Sequence, residues 1–121
     1  MNSILSGCRL LVVEDEMLIL LMIEDMLGDL GCTSILSAAT NDGALALLAA
    51  HEFDAVLLDM NLSGTSSHPV AERLAISGIP FVYVTGSSVS EIEDGFKDRP
   101  YLRKPFGYAD LASALGGLIH R

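Results

Sequence analysis

Ala55-Val56-Leu57-Leu58-Asp59-Met60-Asn61 is the stretch whose reading decides the fold. Its first four residues are apolar without alternation, which suits a strand buried on both faces, as in a parallel sheet covered by helices. The run then delivers one carboxylate, Asp59. An acid buried alone is costly. The cost falls if Asp59 sits at the strand exit, in the crevice where open α/β sheets bind their ligands, with cations arriving from neighbouring loops.

At 121 residues the chain reads as one domain, residues 1–121, with no attached effector domain. Half of the residues are apolar, so a globular protein is expected. The longest unbroken apolar run, Met17 to Ile23, falls well short of the roughly 20 residues that cross a bilayer. No basic leader precedes it, so a cytoplasmic protein without a membrane partner is expected. Seven basic against sixteen acidic side chains give a net charge of −9, which argues against direct nucleic-acid binding. Cys8 and Cys32 lack metal-ligand or redox spacing and read as buried or half-buried thiols.

Outward from the central strand the pattern repeats. Arg9 to Val13 is a second buried run and ends in Glu14-Asp15-Glu16. Met17 to Leu30 then reads as a helix, with Asp15 or Glu16 near its positive N-terminus and Gly31 as the left-handed residue at its end. Its first two turns are apolar all round, which fits a helix buried by the sheet and its neighbours; the alternative is an exposed face that docks a partner helix. Thr33 to Ala39 is a more polar strand suited to a sheet edge, followed by a helix capped by Thr40 or Asn41. His51, just past that helix, suits its C-terminus better than a metal. After Asn61 comes a loop rich in turn residues, with His68 in it, leading to a helix from about Pro69 to Ser77.

Ile79 to Val84 is the next strand and exits at Thr85-Gly86. Between Gly86 and Pro100, Ser88–Glu91 and Ser90–Glu93 each fit a capping box, but Gly95 leaves room for a very short helix only. Tyr101 to Lys104 is a short last strand, and Leu111, Leu115, Leu118 and Ile119 mark a final helix interrupted by Gly116 and Gly117. Strand and helix thus alternate five times, with connections too short for antiparallel excursions. This spells a five-stranded parallel sheet between two helical layers.

In such a sheet several strand ends open on one edge, so Glu14, Asp15, Asp59, Thr85 and Lys104 converge although far apart in sequence. Two carboxylates about 4 Å apart repel by roughly 4 kcal/mol at an effective dielectric near 20, so the acids call for a cation. Hard oxygen ligands without histidine or thiolate favour Mg2+. Lys104 adds a fixed positive charge and Thr85 a hydroxyl donor, with Gly86 leaving room beside it. A carboxylate flanked by a divalent ion, a lysine and a hydroxyl is arranged to attack phosphorus. No phosphate-cradling G-x-x-x-x-G-K-[ST] run is present, so the phosphoryl group must arrive on another molecule.

Four fragments now carry a resemblance: Val13-Glu14-Asp15-Glu16, Leu57-Leu58-Asp59-Met60-Asn61-Leu62-Ser63-Gly64, Val84-Thr85-Gly86 and Leu102-Arg103-Lys104-Pro105-Phe106. Together, in this order and each at a strand end, they resemble the receiver domain of two-component response regulators. The resemblance implies a flavodoxin-like (βα)5 fold with strand order 2-1-3-4-5. It implies that Asp59 takes a phosphoryl group from a histidine kinase or histidine phosphotransfer protein and later loses it to water. By position, Asp15 and Asp59 resemble the metal-binding acids, Glu14 the acid that holds a coordinated water, and Asn61 the residue whose carbonyl completes a Mg2+ site. Lys104 and Thr85 match the residues that contact phosphoryl oxygens, and Tyr101 the aromatic that turns inward when the threonine moves. Family members usually have the bond before Pro105 in the cis form.

Two departures stand out. Ser63 replaces the proline common a few residues after the acceptor, and the segments before Thr85 and before Lys104 are short. The shortening resembles a subgroup of single-domain receivers with an abbreviated fourth helix. It leads to the expectation that residues 87 to 99 are loosely ordered and become ordered on phosphorylation, with output through a separate protein target. Three rival functions fit the sequence less well. A phosphatase of the haloacid dehalogenase type needs a second aspartate two beyond its nucleophile, where this chain has Asn61, which cannot transfer protons. A flavodoxin-like cofactor binder needs a Ser/Thr/Gly-rich first loop, the opposite of Glu14-Asp15-Glu16. A receiver-like scaffold that is never phosphorylated would have no use for the full set of acids, lysine and threonine.

Overall fold

The computed structural model describes residues 4–86 and 99–119. Unalternating apolar runs become strands covered on both sides. β1 (Arg9–Val13), β2 (Ser34–Ala38), β3 (Ala55–Asp59), β6 (Phe81–Thr85) and β7 (Tyr101–Arg103) form one parallel sheet in the order β2-β1-β3-β6-β7. Renumbered without the two short strands between β3 and β6, this is the flavodoxin-like order 2-1-3-4-5 expected from the sequence. The polar run Ser34–Ala38 is at one edge, and the runs around Leu11, Val56 and Val82 occupy the middle.

Strand residues alternate between the two faces, which divides the core. Leu10, Val12, Ala55, Leu57, Val82 and Val84 pack with Ile23 and Leu27 of α1 (Met17–Asp29) and Leu111 and Leu115 of α4 (Tyr108–Ile119). Leu11, Val13, Val56, Leu58 and Phe81 pack with Ala44 and Leu48 of α2 (Asn41–Ala50) and Val70 and Leu74 of α3 (His68–Ser77). By parity Asp59 belongs with Ala55 and Leu57, on the side of α1 and α4.

Local chemistry sets the ends. Gly31, at φ 94°, closes α1 in a Schellman motif: Gly31 N–H donates to Gly28 O at 3.0 Å and Cys32 N–H to Leu27 O at 3.1 Å. Thr40 Oγ1 accepts from Gly43 N–H at 3.0 Å and caps α2. α4 runs through Gly116 and Gly117 because Leu111, Leu115 and Leu118 hold it to the sheet.

Glu16 is the N-cap of α1, near the helix N-terminus as expected, without a side-chain capping bond. Three expectations need correcting. The first two turns of α1 are not buried: Met17, Leu18, Leu21 and Met22 are 64%, 77%, 53% and 52% exposed. The loop after Asp59 contains an antiparallel pair, β4 (Asn61–Leu62) with β5 (Thr65–Ser66), where no antiparallel excursion was expected. His68 is the first residue of α3 and pairs with Glu72 at 3.6 Å, not a loop residue. The candidate short helix after Thr85 lies within 87–98, outside the described residues.

Candidate functional site

β1, β3, β6 and the segment after β7 bring four groups to one edge of the sheet. β3 is buried along its length and ends at Asp59, itself only 5% exposed. Asp59 Oδ1 accepts from Asn61 N–H at 3.1 Å and Oδ2 from Lys104 Nζ at 3.0 Å. Lys104 follows β7, and its backbone N–H donates to Thr85 O at 2.8 Å, which fixes where the side chain starts. The bond between Lys104 and Pro105 is cis. Thr85 is the buried last residue of β6.

From the end of β1 come the other acids. Glu14, 2% exposed, has Oε1 3.0 Å from Lys104 Nζ, and its Oε2 accepts from Glu16 N–H at 3.1 Å. Glu14, Asp15 and Asp59 each offer one carboxylate oxygen, and these oxygens lie within 4.8 Å of one another. Lys104 also reaches Glu16 Oε1 at 3.3 Å. One ammonium therefore serves Asp59, Glu14 and Glu16.

The electrostatics follow from this imbalance. Burial, reinforced by a hydrogen bond with Asp59, pushes the Glu14 carboxyl up to about 7; the Glu16 N–H and Lys104 pull the other way and lose. Burial works against the charge on Lys104, but Asp59 and Glu14 outweigh it and raise its pKa above the usual lysine range. With two of its three acids buried, all of its donors oxygen and one ammonium facing it among the described residues, the three-acid cluster suits a hard divalent cation.

The remaining sequence candidates are more exposed. Asn61 is exposed; its side-chain Oδ1 accepts from Gly64 N–H at 2.6 Å, and its backbone, two residues beyond Asp59, donates its N–H to Asp59 Oδ1. Tyr101 opens β7 opposite Tyr83 and is 47% exposed. A Cβ on Gly86 would meet no atom of the described residues within 4 Å.

Sequence reasoning missed two residues. Glu16 shares Lys104, and Ser63 Oγ donates a hydrogen bond to Asp15 Oδ2 across 48 residues of chain. The one signal for Ser63 was the Ser63-Gly64 dipeptide, a turn former. In the structure these two residues join β4 to β5 with φ of 54° and 89°, as a two-residue type I′ hairpin turn requires.

A family model of the response regulator receiver domain matches residues 10–116. The solution structure of SdrG from Sphingomonas melonis Fr1 is similar over 96% of this chain and 98% of that one, at 45% identity and a TM-score of 0.83. The BeF3-activated conformation of SdrG from Pseudomonas melonis Fr1 is similar at 42% identity and a TM-score of 0.80, over 98% of this chain and 99% of that one. The transcriptional regulatory protein PdtaR of Mycobacterium tuberculosis is 30% identical over 93% of this chain and 57% of its own length. The chain spans about half the length of the curated relatives it matches. It belongs to the response regulator receiver domain family of two-component systems, whose members are signalling domains that bind Mg2+ at an acidic site.

Proposed function

We propose that this chain is a phosphoacceptor in a phosphorelay, with Asp59 as the residue modified. The observation that supports it most is Asp59 at the end of a buried central strand, with Lys104 Nζ at 3.0 Å and two further acids around it. The donor is a phosphohistidine on a histidine kinase or histidine phosphotransfer protein. A carboxylate oxygen of Asp59 forms the new bond to phosphorus, the phosphorus–nitrogen bond breaks, and the imidazole leaves with the electron pair and takes up a proton. Water later cleaves the acyl phosphate, returning the carboxylate and inorganic phosphate.

Glu14, Asp15, Asp59 and the Asn61 carbonyl would hold Mg2+, which supplies charge neutralisation for the phosphoryl oxygens. Lys104 keeps its proton throughout and moves its hydrogen bond from the carboxylate to a phosphoryl oxygen. Thr85 contributes its hydroxyl from the end of β6, and its movement draws Tyr101, now half exposed, inward at β7; Gly86 and Pro105 shape the turns behind them. The exposed face of α1 lies beside this edge, where a protein donor must approach, and a separate protein target reads the switched surface.

A phosphatase of the haloacid dehalogenase type is not favoured. Asn61 has no proton to give or take, and the family match is to the receiver domain. Intact mass after incubation with a small phosphodonor and Mg2+ tests the proposal. Wild type gains one phosphoryl group and Asp59→Asn gains none; equal labelling of both proteins would overturn it.

A further inference from the structure

We propose that Ser63 is a positioning residue of the divalent-cation site, a role that rests on the reading above. The hydroxyl of Ser63 takes part of the acceptor capacity of Asp15 Oδ2. A carboxylate offers about four lone-pair sites, so this bond leaves the carboxylate able to serve a cation while limiting its rotation. Asp15 needs such a hold more than its neighbours do. Asp59 is clamped by Asn61 N–H and Lys104, and Glu14 by Glu16 N–H and the contact with Lys104. Asp15 is the least buried of the three acids, and Ser63 supplies its side-chain bond.

The serine is itself held. Asn61 Oδ1 accepts from Gly64 N–H at 2.6 Å, Ser67 N–H donates to Met60 O at 3.0 Å, and Asn41 Nδ2 donates to Ser66 O at 2.9 Å. These bonds tie the β4–β5 hairpin to the loop after Asp59 on one side and to the start of α2 on the other. The left-handed backbone at Ser63, φ 54°, is one that proline cannot adopt. A proline here would thus remove both the hydroxyl and the turn that aims it. Outer hydrogen bonds to metal-binding carboxylates commonly change metal affinity by about tenfold or more when lost.

Ser63→Gly isolates the hydroxyl, because glycine keeps the positive φ without strain. Mg2+ titration calorimetry on wild type, Ser63→Gly and Ser63→Asn, with melting temperatures taken in chelator, tests the assignment. Ser63→Gly is expected to bind Mg2+ about tenfold more weakly while its metal-free melting temperature stays near wild type. Ser63→Asn tolerates the left-handed backbone, carries a side-chain donor, and is expected to recover most of the affinity. Wild-type affinity in Ser63→Gly, or a lowered metal-free melting temperature with unchanged affinity, overturns the role of Ser63 alone. Wild type that binds no Mg2+ overturns the phosphoacceptor reading along with it.

Discussion

Glu14 shows what the site costs the fold without a cation. Its carboxyl keeps a proton to about pH 7 in the folded protein, against an ordinary value of 4.5. Between those values the unfolded chain binds fewer protons than the native one, so stability falls as pH rises through that window and levels off above it. The loss at pH 8 is on the order of a few kcal/mol at most, since each tenfold change in proton affinity is worth about 1.4 kcal/mol. In chelator, the melting temperature of wild type is therefore expected to rise as pH is lowered from 8 to 5.5. Glu14→Gln, which cannot ionise, should show little of that slope. A wild-type melting temperature that falls steadily over the same range would contradict the assignment of the burden to Glu14.

Among the elements, α1 departs most from what its sequence suggested. An apolar pattern all round a helix ordinarily signals burial. Here Ile23 and Leu27 reach the core, while Met17, Leu18, Leu21 and Met22 are exposed, the last three lining a shallow groove with Glu24 and Asp25. Periodicity cannot distinguish a helix buried in its own fold from one covered by a partner, because both exclude water from the same residues. Leu18→Glu and Leu21→Glu should change stability by no more than about 0.5 kcal/mol, as surface substitutions do. They should slow phosphotransfer from a protein donor and leave labelling by a small phosphodonor unchanged. Equal slowing with both donors would place the effect in the chemistry at Asp59 instead. The strands, by contrast, were legible as unalternating runs ending in acids, and Gly31 marked the end of α1. The β4–β5 hairpin was not: two-residue strands are too short to carry an alternation, and Ser63 meets Asp15 only through tertiary folding.

At the scale of the molecule, a net charge of −9 and a convergence of acids at one edge make the protein a poor neighbour for itself until cations arrive. Mg2+ at 100 times its dissociation constant should add about 2.7 kcal/mol of stability by mass action. Monovalent salt at the same ionic strength should add less, and chelator should reverse the Mg2+ increment. If both salts act alike, general screening rather than a defined site explains the gain. The convergence of Asp59, Glu14, Asp15 and Lys104 could be anticipated because parallel connections put these strand exits on one edge. Which acid Lys104 would favour could not, since that depends on distances of about 3 Å set by the packing of β1, β3 and β7 together. Lys104 is also anchored at its root, its backbone N–H bound to Thr85 O across the β6–β7 seam. One residue is thus both the counter-ion of Asp59 and a rivet in the outermost strand pair. If Asp59 is phosphorylated as proposed, a change of partner at the tip of this side chain would be felt at the border of the sheet through the same residue's root.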